Sequence, residues 1–172
     1  MKAKTAKETL AITTEIVLPN DTNTLGNLFG GQLLAWMDVI ASVSAHRHSR
    51  RTVVTASVNN VSFNQPIHHA SIVTLEAKVS RAFTSSMEVF VDVFVEDPVT
   101  GKRIKSNEAI YTFVAVDQNG APIQVPELIP ESEEEKQRFA GALRRKELAL
   151  ILAGKMNPKD AVNLKKLFFE EE

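Results

Sequence analysis

"LGNLFGGQLLAWMDVIASVSA", residues 25–45, decides the fold. It carries one formal charge, Asp38, among Leu33, Leu34, Trp36, Met37, Val39, Ile40 and Val43. On a helix of about 3.6 residues per turn those apolar side chains cover every face. The spacing predicts a helix from Gly31 to His46, buried on all sides. Asn27 and the pair Gly30–Gly31 stand at its entrance, after the loop-forming run "NDTNTLGN". The far end, "HRHSRR" (46–51), places cations where the helix dipole favours them, as a solvated helix end.

Strand signals flank this helix. "ETLAITTEIVL" (8–18) reads as a first strand stopped by Pro19. Four more follow at 52–63, 71–83, 86–96 and 104–116. In 86–96, Met87, Val89, Val91, Val93 and Val95 alternate with Glu88, Phe90, Asp92, Phe94 and Glu96, the period-2 pattern of a two-faced sheet. The connections "NQPIHHA", "TS" and "DPVTGKR" are short, which favours antiparallel pairing. "DQNGAPIQVPELIPE" is a proline-punctuated linker. Ser132 with Glu135 forms a capping box, opening a helix that runs to about Ala153 and stops at Gly154 and Asn157–Pro158. The tail "KDAVNLKKLFFEEE" offers one or two further amphipathic turns through Leu164, Leu167 and Phe168.

The architecture is therefore α+β: an antiparallel sheet of about five strands wrapped around one long buried helix (8–118), a linker (119–131), and a C-terminal helix and tail (132–172). A helix so apolar calls for the sheet on one side and a second subunit nearby.

The chain has 172 residues, 44% hydrophobic and 24% charged, enough for one sizeable core. Net charge is −1, so no basic field recommends nucleic acid. Cysteine is absent, which excludes disulfides, thiolate metal sites and a cysteine nucleophile. His46, His48, His68 and His69 lack metal-ligand spacing, so no metal is expected. Glu8, Thr13, Thr14 and Glu15 interrupt what would be a signal peptide's apolar core. The longest apolar stretch of the helix, Leu33–Met37, is far below the roughly 18 residues of a membrane span. A soluble, cytoplasmic protein is expected.

The order strand, Asn/Gly loop, buried helix, four antiparallel strands resembles the hotdog fold. "LPNDTNTLGNLFGGQLLAWMD" is similar to the signature of hotdog acyl-CoA thioesterases that hydrolyse fatty acyl-CoA. "VVTASVNNVSFNQPI", "RAFTSSMEVFV" and "PESEEEK" extend the likeness over about 10–140. The resemblance implies a catalytic pair, Asn27 in the loop and Asp38 on the helix, with the Gly31 N–H as oxyanion donor. It also implies that Arg81, Thr84, Ser85 and Ser86 line a coenzyme A channel. The substrate would be acyl-CoA, with no cofactor beyond the CoA of substrate and product. Assembly would be a homo-oligomer, either a dimer or a trimer of dimers. Related dehydratases would place a His in the loop, and residues 20–31 contain none.

The residues support that chemistry in part. An apolar setting disfavours a charged carboxylate and makes Asp38 a readier proton acceptor. Asn27 can donate and accept through its amide, although alone it reads equally as a turn or cap residue. The first N–H groups of a helix are unpaired, and glycine lets a carbonyl approach them. Arg81 shares the parity of Val73, Leu75, Ala77 and Val79, so it marks a bulge, a ligand contact or a surface Arg before a polar turn. "HRHSRR" and "LRRKE" are further phosphate candidates.

Gly31 and Asp38 are seven residues apart, about 10 Å along a helix. A water and a carbonyl must lie within about 3 Å of both, which one chain does not readily provide. Two antiparallel helices about a two-fold axis would bring the partner's Asp38 beside Gly31 and Asn27. Two functions are consistent with this reading: a thioesterase with a shared site, or a non-catalytic acyl-CoA-binding regulatory module.

Overall fold

Leu33, Met37, Ile40, Ala41, Ser44, Ala45 and His48 recur at three- and four-residue steps, and all are buried along one side of a 20-residue helix, α1 (Gly30–Ser49). The computed structural model describes residues 1–168; the last four residues of the tail lie outside the described residues. Before α1 come β1 (Lys4–Thr5) and β2 (Ala11–Ile16); after it come β3 (Thr52–Ser62), β4 (Ile72–Ala82), β5 (Ser86–Glu96) and β6 (Arg103–Val116). β2 to β6 form an antiparallel sheet in the order β2-β4-β5-β6-β3, and α1 touches all five strands. Val73, Leu75, Ala77 and Val79 of β4 and Val89, Val91 and Val93 of β5 are fully buried, joined by Tyr111 and Phe113 of β6. This is the sheet around a helix that the sequence predicts.

The segment read as linker returns as β7 (Leu128–Ile129), pairing in parallel with β1. Contacts divide the chain into units 1–129 and 130–172. In the second unit, the capping box at Ser132 opens α2 (Glu133–Leu152), as expected. There Glu147 accepts hydrogen bonds from Asn163 and from the Leu164 N–H, fastening the short α3 (Val162–Lys165).

Burial of α1 on every face does not hold within one chain. Ala35, Val39, Val43 and His46 form an exposed stripe, with Val39 64% exposed. The sheet can cover only one side of a helix, and the other side remains open. Beside it runs β3, an edge strand with Val54 and Val58 exposed.

The helix end is also less solvated than "HRHSRR" suggests. His48 is fully buried, and its Nε2 donates to the Pro126 carbonyl at 2.7 Å. Lys4 caps the helix by donating to the carbonyls of Arg47 and His48, both at 2.7 Å. Arg47 donates to the Leu10 carbonyl. The His48 Nδ1 is buried without a partner, so a second proton would place an uncompensated charge there. Desolvation accordingly holds the His48 pKa below the usual imidazole value, with the Lys4 ammonium acting in the same direction. The unfolded chain binds that proton near pH 6.5 and the native chain only at lower pH, so stability rises with pH through this window. Stability should fall by up to about 1.4 kcal/mol per pH unit as pH drops below about 6.5. In His48→Gln that component should vanish from denaturant midpoints measured between pH 7 and 5.

A second prediction concerns Ala70, which has φ +64°, a left-handed conformation that costs a side-chain-bearing residue about 1–2 kcal/mol. Its N–H donates to the Val17 carbonyl at 2.9 Å, holding the 67–71 turn against the end of β2. Ala70→Gly should stabilise the protein by about 0.5–1 kcal/mol in chemical denaturation, after allowing for glycine's unfolded-state entropy.

Candidate active site

The loop before α1 is built from asparagines. The Asn23 side chain accepts the N–H groups of Leu25 (2.9 Å) and Asn27 (3.2 Å), and the Asn23 N–H donates to the Asn27 carbonyl at 2.8 Å. The segment after β3 clasps this loop. Leu28 N–H donates to Ile67 (2.6 Å), His69 N–H donates to Gly26 (3.0 Å), and Asn27 bridges to His68. All of these bonds use the backbone, or Asn23, to fix Asn27. The side-chain oxygen of Asn27 itself is shut off from solvent and accepts no hydrogen bond within the described chain.

At the start of α1, the N–H groups of Gln32 and Leu33 both donate to the Phe29 carbonyl, at 3.0 and 3.1 Å. Those of Gly30 and Gly31 come before the first helical turn closes and are the open donors of the helix end. Neither glycine has positive φ, and a Cβ built on either would come no closer than 3.4 Å to Phe63 or Phe29. The fold of the single chain does not require glycine at these positions. Their bare backbone is open to whatever approaches from outside.

Asp38 lies two turns along α1 and is half-buried. Its Oδ1 accepts a 2.8 Å hydrogen bond from the Thr55 hydroxyl of β3. No hydrogen bond joins Asp38 to Asn27 among the described residues, consistent with the axial separation along one helix. Sequence reasoning missed Thr55, since nothing distinguishes it from Thr52 on the same strand. It also missed Asn23, whose side chain closes an Asx turn on the Leu25 N–H two residues on.

Arg81 and the turn Thr84–Ser85–Ser86 stand together at the β4–β5 hairpin. The register slips between Val79 and Arg81, so the strand carries a bulge where the parity of Arg81 allowed one. Ser80, at the slip, donates to the Glu88 carboxylate at 2.6 Å. The Arg81 guanidinium lies 5.8 Å over the Phe83 ring. The carbonyls of Thr84 and Ser85 accept from Val125 and Ala115, at 3.0 and 2.9 Å, so the turn backbone is held by the end of β6 and the segment after it. Among the described residues, no group of three or more His, Asp and Glu lies close enough to hold a metal ion, and no helix is long and apolar enough to cross a membrane.

The model of the thioesterase superfamily matches residues 25–102, from the Asn27 loop to the turn after β5. The acyl-CoA thioester hydrolase YkhA of Bacillus subtilis, itself described as uncharacterized, is 47% identical over 139 residues, 81% of each chain. The chain belongs to this acyl-CoA thioester hydrolase family. An acyl-CoA hydrolase structure from Bacillus cereus superposes with TM-score 0.86 at 40% identity, covering 90% of this chain and 94% of that one. An acyl-CoA hydrolase from Staphylococcus aureus, solved with butyryl coenzyme A, coenzyme A and coenzyme A disulfide, gives 0.84 at 36% identity, covering 89% and 95%. Variants of that enzyme with one Asn, one Asp or one Thr replaced by Ala are similar to this chain too. A hexameric acyl-CoA thioesterase gives 0.85 at 38% identity, covering 89% and 98%. This hotdog-fold member is thus a thioester hydrolase.

Proposed function

We propose that the protein hydrolyses fatty acyl-CoA by direct attack of water, at sites shared between two copies of the chain. Asp38 takes a proton from water as its oxygen adds to the thioester carbonyl. The Gly31 N–H receives the developing oxyanion, where a fixed donor lowers the barrier most. The Asn27 amide orients the reactants. Collapse expels CoA as thiolate, which takes the proton from the Asp38 carboxyl, leaving free acid and thiol. Arg81 and Thr84–Ser86 hold the coenzyme, and no further cofactor enters.

The carrying observation is the buried, unpartnered Asn27 oxygen at the foot of the open helix donors. Left without a partner, such an atom costs about 1–3 kcal/mol, a cost that a bound reactant or water would remove. The three residue types altered in the S. aureus enzyme, Asn, Asp and Thr, are those of Asn27 and of the hydrogen-bonded pair Asp38 and Thr55. The exposed stripe of α1 beside the β3 edge supplies an apolar face for a two-fold partner. The hexameric relative supports a trimer of such dimers.

Thiol release from acyl-CoAs of graded chain length tests the proposal. Turnover of acyl-CoA is the expected result, and the length profile bounds the acyl site. Tight binding of acyl-CoA without turnover would make the protein a regulatory module instead.

A further inference from the structure

Tyr111 is 1% exposed, at the centre of the inner face of β6, with its ring stacked on Phe113 at 6.2 Å between centroids. Its hydroxyl donates 3.0 Å to the carbonyl of Leu34. Leu34 is the residue whose carbonyl, by the α-helical pattern, also receives the N–H of Asp38. One carbonyl therefore accepts both from the sheet and from the Asp38 backbone. Thr55 holds the same residue's carboxylate from a neighbouring strand, since β3 pairs with β6.

We infer that Tyr111 is a positioning residue for Asp38, pinning the helical turn beneath it to the sheet so that the carboxylate meets the water at a fixed place. The inference rests on the hydrolytic reading above and adds to it a residue that need not touch the substrate. The chemistry suits a hydroxyl that never titrates in the working range. Desolvation, and then the nearby Asp38 charge, push the Tyr111 pKa up to about 12, so the phenol remains a donor at any assay pH. A phenylalanine would fill the same space but could not make the bond. Besides the Thr55 bond to the carboxylate, the other hydrogen bonds described above for α1 lie at its far end, through Arg47 and His48. Between them the apolar packing resists separation from the sheet but resists sliding along it much less. A hydrogen bond of fixed length to the turn below Asp38 supplies that missing restraint. Its effect on rate follows from the steep dependence of catalysis on placement, where an error of about 1 Å can cost a hundredfold.

The test is Tyr111→Phe in the full chain, alone and combined with Asp38→Ala. The substitution keeps the ring and leaves the Leu34 carbonyl bonded to the Asp38 amide, so folding should be retained. The expected single-variant result is a kcat about tenfold lower with KM within twofold of wild type. In the Asp38→Ala background the same substitution should change the residual rate by less than twofold, since there is no carboxylate left to place. Amide exchange supplies a readout independent of activity. The amides of residues 38 and 39 should exchange several-fold faster in Tyr111→Phe, with residues 44–48 unchanged. A wild-type kcat in Tyr111→Phe, a tenfold loss repeated on top of Asp38→Ala, or exchange accelerated evenly along α1 would each overturn the inference while leaving hydrolysis intact. No turnover of any acyl-CoA by the wild type would overturn the hydrolytic reading, and with it this one.

Discussion

Asp38→Asn should lower kcat for acyl-CoA hydrolysis by about a thousandfold, within the 10²–10⁴ range expected for loss of a general base. The substitution is nearly isosteric. The Asn side-chain oxygen can still accept the 2.8 Å hydrogen bond from Thr55, so the local packing has no reason to change. What is lost is the capacity to take a proton at neutral pH. KM should stay within about twofold, because on this mechanism Asp38 touches water and not the coenzyme. Thr55→Ala separates the two roles. It leaves the carboxylate in place but frees it to rotate, and the expected loss is smaller, about 10–100-fold in kcat. Initial-rate assays with thermal melts of the same preparations check both. A full rate in Asp38→Asn would exclude the carboxylate as base, whatever the family likeness implies.

The order of effects follows from what each residue touches, and that bears on how much the sequence reveals. The apolar run 33–43 and the period-2 run 86–96 are legible because burial writes its own repeat into the chain. α1 and β5 lie where those repeats place them. Asp38 stands out because it interrupts an apolar pattern, and Asn27 and the glycine pair because they stand at the entrance to it. Thr55 does not stand out, since a β-branched residue on a strand is what a sheet requires in any case. Tyr111 hides for a similar reason: its ring satisfies the core pattern, and only the position of Leu34 across the sheet reveals the hydroxyl's partner. β1 and β7 are two residues each and pair across more than a hundred positions, too short for any periodicity to show. The exposed stripe of α1 reads as buried because the pattern records apolar contact without saying whose. Val39 and Val43 carry the composition of an interior on a face that one chain leaves open.

That open face leads to the second large effect. Asn27→Ala and Asp38→Ala proteins, each nearly inactive alone, should recover about a quarter of wild-type activity when co-expressed or unfolded and refolded together. The proportion follows from two-fold symmetry. If each site takes Asn27 from one copy and Asp38 from the other, a mixed dimer holds one site with both residues intact and one with neither. Random pairing makes about half of the dimers mixed, and half of their sites work. Sites built within one chain would give no recovery, because every chain would carry one defect. The geometry favours the first outcome: about 10 Å of helix separates Gly31 from Asp38, and the side chains of Asn27 and Asp38 share no hydrogen-bonded partner in the described chain. Val39→Glu should act on the same interface from the other direction. A carboxylate in the middle of the exposed stripe would be buried without a partner on dimerisation, so the variant should elute smaller by size exclusion. Adding it to both members of the complementing pair should abolish the recovered quarter. No recovery from the mixed pair, with both single variants folded and dimeric, would mean that the two residues work within a single chain.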